Sequence, residues 1–321
     1  MLGRTLVLEV GRVTEGAAIA AAKLRGRGDV KAADKVAVDA MRKELGRINI
    51  DGLVVIGEGE MDEAPMLYIG EKVGTGQGPA VDIAVDPLEG TTICAKAMPN
   101  ALAVLAIAER GGLLHAPDMY MDKIAVGPGL PDGLVDLDAS AEDNVHALAK
   151  AKGVTVEEIT ACILDRPRHA ELIAAVRGTG AAVQLIPDGD IAGVIWTTDT
   201  DQTNIDIYLG SGGAPEGVLA AAALRCIGGQ MQGRLLPSNH EERVRAEKMG
   251  ADVQKKYSIN DMASGDVIFS ATGVTDGSLL EGVHFRGDFA ETETVVMRAE
   301  TGTVRRVKTT FRNIGTKLAM L

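Results

Sequence analysis

The stretch that decides the fold is Val81-Asp82-Ile83-Ala84-Val85-Asp86-Pro87-Leu88-Glu89-Gly90-Thr91-Thr92. Its apolar first half predicts a buried strand, and Pro87 is expected to stop that strand because proline cannot donate to a sheet ladder. Asp86 would then stand at the carboxyl end of the strand, and the three-residue step can turn Glu89 back toward the same point. Two carboxylates are therefore expected to converge here.

Converging carboxylates followed by a glycine–threonine turn indicate a site for a cation and a phosphate. Mg²⁺ and Mn²⁺ prefer such oxygen ligands, which they usually share with the oxygens of a bound phosphate. Gly90, Thr91 and Thr92 offer backbone N–H groups and hydroxyls to that phosphate. A solvated acidic turn after a strand is the alternative for this segment taken alone.

Three further acids, one after a strand end and two in helices, are candidate ligands for the same site. The apolar run Leu53 to Ile56 predicts a buried strand that leads into Gly57-Glu58-Gly59-Glu60, so Glu58 follows a strand end. Glu216 follows Pro215 in the first turn of a predicted helix, where it could instead serve only the helix dipole. Asp34 lies beside the apolar stripe of a predicted helix and, taken alone, is a surface charge. Together these acids are expected to converge on one metal site suited to phosphate-ester hydrolysis.

The order of the predicted elements indicates layered α/β structure. Helical spacing of apolar residues predicts two helices before residue 46, and short apolar runs then predict buried strands at Ala101 to Ile107 and Ile124 to Val126. Strands and helices alternate after residue 155, and Thr301-Gly302 predicts a late hairpin. The further predicted segments are strands Ala161 to Leu164, Ala181 to Ile186 and Ile205 to Leu209, and helices His169 to Val176 and Gly217 to Ile227.

Composition limits the possible partners. The net charge of -12 argues against nucleic acid or an anionic membrane surface as the main partner. The three cysteines are far apart, so neither a disulfide framework nor a CxxC metal site is predicted, and the five histidines lack zinc-ligand spacing. No apolar run approaches the ~20 residues that span a bilayer, so we expect a cytoplasmic protein.

The motif Asp-Pro-Leu-Glu-Gly-Thr at residues 86–91 resembles the signature of the lithium-sensitive inositol monophosphatase superfamily. Many members of the superfamily carry Asp where this chain has Glu89. Within the superfamily, the chain is most similar over nearly its whole length to class II fructose-1,6-bisphosphatases of the GlpX type. The motifs that carry this similarity are Arg27-Gly28-Asp29, Ile56-Gly57-Glu58-Gly59-Glu60, Ala64-Pro65-Met66-Leu67-Tyr68, Leu164-Asp165-Arg166-Pro167-Arg168-His169 and Gly212-Gly213-Ala214-Pro215-Glu216-Gly217.

The resemblance implies a fold, a reaction and a set of site residues. The fold is an α/β class, the layered α-β-α-β-α sandwich of the sugar phosphatases. The reaction is hydrolysis of the 1-phosphate of fructose 1,6-bisphosphate with Mn²⁺ or Mg²⁺, in gluconeogenesis. Thr91, Asp34 and Glu58 are the implied catalytic residues, with Thr91 and Asp34 orienting and deprotonating the attacking water. The implied metal ligands are Asp34, Glu58, Asp86, Glu89 and Glu216, and the implied substrate-binding residues are Glu89, Gly90, Thr91, Tyr120, Arg166, Pro167, Arg168, Asp188, Gly189, Asp190 and Gly213.

Several alternatives stay open at this point. Acceptance of sedoheptulose 1,7-bisphosphate and an inositol-phosphatase-like activity both fit the same motifs. A non-catalytic phosphosugar sensor is disfavoured, because such a sensor would lack Asp34, Glu58 or Thr91 and all three are present. A nucleotide-dependent oxidoreductase is disfavoured because no GxGxxG follows the first predicted strand. We expect one compact unit over residues 1–321, with a metal-binding and catalytic α+β half at 1–155 and an α/β substrate-binding half at 156–321. The resemblance also suggests a homo-oligomer, a dimer or a tetramer.

Overall fold

The computed structural model describes residues 2–59 and 66–312. The chain forms two compact units, the first from residues 1–113 together with 265–321 and the second from residues 114–264. The first unit thus combines both ends of the chain. The expected division near residue 155 falls inside the second unit, and the assignment of a catalytic and a substrate-binding half stays a prediction.

The helices and strands are numbered in chain order. The helices are α1 (Leu6–Ala22), α2 (Val30–Leu45), α3 (Thr91–Ala95), α4 (Ala141–Lys152), α5 (Ala170–Gly178), α6 (Asp190–Trp196), α7 (Thr200–Thr203), α8 (Ala214–Ile227), α9 (His240–Lys248) and α10 (Ile259–Met262). The strands are β1 (Asp51–Ile56), β2 (Lys72–Val73), β3 (Ala80–Glu89), β4 (Leu102–Glu109), β5 (Tyr120–Val126), β6 (Thr160–Leu164), β7 (Ala182–Ile186), β8 (Ile207–Gly213), β9 (Gln230–Leu236), β10 (Tyr257–Ser258), β11 (Val267–Gly273), β12 (His284–Arg286), β13 (Phe289–Arg298) and β14 (Thr303–Arg312).

The first unit is a mixed sheet covered by two long helices. Within the described residues its strand order is β12-β13-β11-β4-β3-β1-β2, with β14 paired to β13. β1 and β3 run parallel, so their carboxyl ends lie at the same edge of the sheet. The apolar stripe of α1 packs on β11, β13 and α2, and α2 also packs on β3 and α3. Asp29 caps α2 by accepting a hydrogen bond from the Ala32 N–H at 2.9 Å.

The second unit is a separate mixed sheet with helices on both faces. Its strand order in the described residues is β10-β9-β5-β8-β6-β7. Side chains of α4 and α5 share a buried apolar cluster with Ile163 of β6 and Ile207 of β8. The neighbouring residues Cys162 and Tyr208 face Gly193 of α6 on the opposite side of the sheet, because successive side chains of a strand alternate. This alternation places the sheet between two helical layers.

Most of the elements predicted from the sequence are confirmed. The two helices before residue 46, the apolar strands and the late hairpin β13–β14 are all present. The predicted α/β class is confirmed as well, since each unit has a mixed sheet with helices packed against it. In the described part of the chain, no helix is both long enough and apolar enough to cross a membrane.

One local prediction was wrong. Pro87 does not stop its strand, because β3 continues from Ala80 through Pro87 to Glu89. The pairing with β4 shifts register between Asp86 and Glu89, where three steps along β3 match two along β4. Such a bulge leaves a residue outside the ladder, so proline is tolerated there without a lost hydrogen bond.

Candidate active site

The bulge in β3 brings two carboxylates to one side of the strand. In a regular strand, residues three apart point to opposite faces, and the extra residue of a bulge reverses that relation. Carboxylate oxygens of Asp86 and Glu89 accordingly lie within 4.8 Å of each other. Asp86 is half-buried and accepts a hydrogen bond from the Leu88 N–H at 3.1 Å, whereas Glu89 is buried. The predicted convergence of these two acids is confirmed.

The geometry of the pair fits a shared divalent cation. Ligand oxygens about 2.1 Å from one Mg²⁺ lie up to about 4.2 Å apart, so a separation within 4.8 Å needs little side-chain movement. Gly90 follows directly in the left-handed conformation, with φ 79°, and leads into α3 at Thr91. The half-buried Thr91 is therefore only two residues from Glu89, at the same strand end.

Glu58 follows the parallel neighbour of β3. Ile56 at the end of β1 pairs with Ala84 of β3, which places Glu58 at the sheet edge where Asp86 lies. The Glu58 N–H donates to the carbonyl of Leu67 at 3.0 Å. A Cβ atom on Gly57 would lie 1.9 Å from that same carbonyl oxygen, so glycine is required for this approach. Glu60, Ala64 and Pro65 of the quoted motifs lie outside the described residues.

Asp34 is half-buried on α2, the helix that packs on β3 and α3. Burial raises the pKa of the Asp34 carboxyl above its ordinary value of 3.8. A carboxylate with a raised pKa is a stronger proton acceptor, which suits the base-supporting role that the sequence predicted. The role itself stays a prediction.

In the second unit, Glu216 and Gly213 lie at the start of α8. Gly213 is the N-cap of α8, and Glu216 occupies the first turn after Pro215, as predicted. A Cβ atom on Gly213 would lie 1.8 Å from Oε2 of Glu216. The Glu216 carboxylate therefore folds back over the Gly213 backbone, and a side chain at position 213 would displace it.

Lys123, a buried lysine that was not predicted from the sequence, hydrogen-bonds to two of the predicted substrate-binding residues, Asp190 and Gly213. The Nζ atom of Lys123 donates to Oδ2 of Asp190 at 2.6 Å and to the Gly213 carbonyl at 2.7 Å. Lys123 is 1% exposed and Asp190 5%. The Tyr208 hydroxyl also donates to Oδ2 of Asp190, at 3.3 Å. Asp190 thus has internal partners, and its predicted contact with a sugar hydroxyl stays a prediction.

Arg166 and Asp188 form an ion pair at the carboxyl ends of β6 and β7. The Nη2 atom of Arg166 lies 3.4 Å from Oδ1 of Asp188, and Nη1 donates to the Pro187 carbonyl. Burial raises the pKa of Asp188, and the Arg166 charge opposes that rise. Gly189, in the left-handed conformation with φ 81°, caps α6, while Pro167 opens a short 3₁₀ helix at Pro167–His169.

Arg168 and Tyr120, two further predicted substrate-binding residues, contact each other in this unit. The Arg168 guanidinium lies over the Tyr120 ring, 4.6 Å from its centroid, and Tyr120 is 47% exposed. Arg168 also binds Ser211 of β8, which the sequence reading did not single out. A lysine inside the apolar segment Tyr120–Val126 was a visible signal for Lys123. No local pattern marked Ser211.

Within each unit, then, the structure groups most of the predicted site residues. In the first unit, Asp86 and Glu89 lie at the end of β3, Thr91 follows two residues after Glu89, and Glu58 lies two residues past the end of β1. In the second unit, Tyr120 meets Arg168, Arg166 meets Asp188, and Lys123 links Asp190 to Gly213. A carboxylate pair beside a glycine–threonine turn, in α/β structure, is consistent with the class of metal-dependent α/β phosphatases.

Comparison with known proteins identifies the family. The family model described as "Bacterial fructose-1,6-bisphosphatase, glpX-encoded" matches residues 4–311, and the chain belongs to this family. The chain is 50% identical over 319 residues to "Fructose-1,6-bisphosphatase 1 class 2" of Escherichia coli strain K12, covering 95% of this chain and 94% of that relative. It is equally similar, with the same coverage, to "Fructose-1,6-bisphosphatase class 2" of Escherichia coli O6:H1 and of Shigella flexneri. The resemblance inferred from the motifs is confirmed.

Proposed function

We propose that this chain is a metal-dependent phosphatase that hydrolyses the 1-phosphate of fructose 1,6-bisphosphate to fructose 6-phosphate and inorganic phosphate, a reaction of gluconeogenesis. The observation that carries the proposal is 50% identity over 95% of the chain to class 2 fructose-1,6-bisphosphatases. The paired carboxylates of Asp86 and Glu89 support it independently, because phosphate-ester hydrolysis needs a charge-neutralising site of this kind.

Mn²⁺ or Mg²⁺ is the proposed cofactor. Asp86 and Glu89 would hold the cation, and the family resemblance adds Asp34, Glu58 and Glu216 to the proposed ligand set. A bound divalent cation supplies neutralisation of phosphate charge and a lower pKa for an attacking water. The side chains of Asp86 and Glu89 contribute by fixing the place where the phosphate oxygens are bound.

Thr91 and Asp34 are the proposed pair that orients the attacking water. Thr91 begins α3 directly after Gly90, so its hydroxyl stands at the same strand end as the carboxylates. The raised pKa of Asp34, caused by burial, favours acceptance of a proton from that hydroxyl or from the water. Glu58 is the third proposed catalytic residue, since it follows the end of β1, the strand parallel to β3.

The remaining predicted residues are proposed to bind the sugar and the phosphate that stays attached. Arg166 and Arg168 suit a phosphate because a guanidinium donates two parallel hydrogen bonds to such an anion. Asp188 can accept a hydrogen bond from a sugar hydroxyl. The other proposed contacts are Glu89, Gly90, Tyr120, Pro167, Gly189, Asp190 and Gly213.

We also propose a cytoplasmic location and a homo-oligomeric state, a dimer or a tetramer. The three cysteines are free and buried, which supports a compartment where thiols stay reduced. The proposed oligomer rests on the family resemblance, and a sedimentation measurement of the purified chain tests it.

The test is release of inorganic phosphate from fructose 1,6-bisphosphate with Mn²⁺ or Mg²⁺. Sedoheptulose 1,7-bisphosphate and inositol 1-phosphate serve as competing substrates. We expect release from fructose 1,6-bisphosphate that EDTA abolishes and that Asp86→Asn strongly reduces. Asp201→Asn, at an exposed acid on α7, is the matched control and should retain full activity.

Each other outcome has a distinct meaning. Hydrolysis of inositol 1-phosphate alone would keep the superfamily and reject the fructose-bisphosphatase activity. Equal hydrolysis of both sugar bisphosphates would establish dual specificity. If no substrate were hydrolysed, the proposed activity would be rejected and the phosphosugar sensor would replace it.

A further inference from the structure

We infer that Ser211 is a positioning residue that orients the Arg168 guanidinium for the phosphate group that is not cleaved. The inference rests on the proposed function, because it assumes that Arg168 binds a sugar phosphate. Its physical basis is a chain of hydrogen bonds in the second unit that runs from Leu164 through His169 and Ser211 to Arg168.

Ser211 occupies one edge of the guanidinium plane. The Nε atom of Arg168 donates to the Ser211 hydroxyl oxygen at 3.0 Å, and Nη2 donates to the Ser211 carbonyl at 2.7 Å. A guanidinium has five N–H donors in one plane. After these two bonds, both Nη1 hydrogens and one Nη2 hydrogen remain. One Nη1 hydrogen and the remaining Nη2 hydrogen form the outer edge, which can grip a phosphate with two parallel bonds, while the other Nη1 hydrogen points toward the Cδ side.

The face of the guanidinium is fixed as well as its edge. Arg168 lies 4.6 Å from the centroid of the Tyr120 ring, a distance at which a cation is attracted to the ring face. Stacking alone permits rotation of the guanidinium within its plane. The two bonds to Ser211 remove that freedom, so the free edge points in one direction before a ligand arrives. Such preorganisation lowers the entropy lost on binding.

Ser211 is itself held in place by His169, which is buried at 3% exposure. The Ser211 N–H donates to Nε2 of His169 at 2.9 Å, so Nε2 is the acceptor nitrogen. The hydrogen must then reside on Nδ1, which lies 2.8 Å from the Leu164 carbonyl and donates to it. The Ser211 hydroxyl lies 3.1 Å from the same Nε2 atom. The single Nε2 lone pair is therefore shared between the Ser211 N–H and the Ser211 hydroxyl, and the hydroxyl oxygen accepts from Arg168.

The backbone next to Ser211 is shaped for this contact. Gly210 has φ +129°, and a Cβ atom there would lie 3.2 Å from ring atoms of His169. A larger residue would crowd the imidazole against the strand. Ser211 thus connects a buried ring, anchored to the end of β6, with an exposed cation of the proposed substrate site. A residue needed only for folding would not require its hydroxyl to face that cation.

The test measures binding of fructose 6-phosphate, which carries only the uncleaved phosphate. Calorimetry gives the dissociation constants of the full chain and of Ser211→Ala, Arg168→Ala and the double variant. We expect Ser211→Ala to weaken binding about tenfold, the loss typical of one hydrogen bond to a charged group. In the Arg168→Ala background, the same change should weaken binding less than twofold, because its effect passes through Arg168.

A control separates positioning from a loss of stability. Ser140→Ala removes the cap of α4, where the Ser140 hydroxyl accepts from the Asp143 N–H at 3.0 Å, and destabilises the second unit without touching β8. Fructose 6-phosphate should bind this variant as it binds the parent chain. The inference is overturned if Ser211→Ala weakens binding equally in both backgrounds, if Ser140→Ala weakens it as much, or if the parent chain does not bind fructose 6-phosphate.

Failure of the proposed function gives a different result. Turnover of fructose 1,6-bisphosphate is measured on the same proteins, and Ser211→Ala should raise KM about tenfold with kcat within twofold of the parent. If the parent chain shows no turnover while Ser211→Ala still weakens fructose 6-phosphate binding only when Arg168 is present, the phosphatase proposal is rejected and Ser211 keeps its positioning role. If kcat falls while KM is unchanged, the positioning role is rejected.

Discussion

Replacing Lys123 by Met should strongly destabilise the second unit. Lys123 and Asp190 are both buried, and the ammonium makes hydrogen bonds of 2.6 Å and 2.7 Å to Asp190 and to the Gly213 carbonyl. Methionine has a similar length but no charge, so the Asp190 carboxylate loses its cation. Breaking one side of a buried ion pair costs about 3–5 kcal/mol of folding free energy. With a urea m-value of about 2 kcal/mol/M, the unfolding midpoint should fall by about 2 M.

The assay follows the fluorescence of Trp196, the single tryptophan, which is buried in the same helix that Asp190 begins. Lys255→Met is the matched control, because Lys255 pairs with Asp261 at 2.7 Å in a setting exposed to solvent. This control should shift the midpoint far less. The double variant Lys123→Met/Asp190→Leu should recover much of the loss, since it leaves no charge unpaired. A midpoint for Lys123→Met within 0.3 M or so of the parent would refute the reasoning.

Three other substitutions test separate parts of the structure. Burial raises the pKa of the Glu15 carboxyl above 4.5, although the hydrogen bond from the Thr309 hydroxyl partly lowers it. At neutral pH the buried carboxylate is ionised and therefore destabilises the folded state. Glu15→Gln should therefore be more stable than the parent at pH 7. Urea titrations should show that this difference in unfolding free energy vanishes as the pH falls toward 4.5. A difference that grew at low pH would contradict the raised pKa of Glu15. In Gly57→Ala the new methyl group would clash with the Leu67 carbonyl oxygen and force the backbone to move. The free energy of unfolding should therefore fall by about 1–3 kcal/mol. An unchanged value would show that Gly57 and Leu67 are not in close contact. Thr91→Ala should lower kcat for phosphate release by about 10²–10⁴-fold with KM nearly unchanged, and an unchanged kcat would remove the water-orienting role.

Local sequence patterns were sufficient to predict most of the helices and strands. Alternating or continuous apolar runs marked β1, β3 and β4, and the spacing around Thr301-Gly302 marked the hairpin β13–β14. These features depend on residues near one another in the chain. The motif at residues 86–91 likewise identified the acidic strand end, although Pro87 proved to lie within a bulge rather than at a strand terminus.

Features that depend on distant pairing could not be read from local patterns. Lys123 and Asp190 are 67 residues apart in the chain, and Arg168 and Ser211 are 43 apart. Asp190, Arg168 and Ser211 taken alone fit ordinary surface positions, and the lysine within the apolar segment of β5 did not by itself identify its partner. Their chemistry becomes visible only when β5 pairs with β8 and the carboxyl end of β6 comes beside β8. The composition of the first unit could not be predicted for the same reason, because it depends on the pairing of β11 with β4, which are distant in the chain.

The measurement to make first is the identity of the product formed from fructose 1,6-bisphosphate, followed by phosphorus NMR with Mn²⁺ or Mg²⁺ present. Hydrolysis at the 1-position predicts that fructose 6-phosphate and inorganic phosphate rise together in equal amounts, and that neither forms with Asp86→Asn. Fructose 1-phosphate as the product, or a spectrum that the folded, metal-loaded chain leaves unchanged, would contradict the proposed reaction.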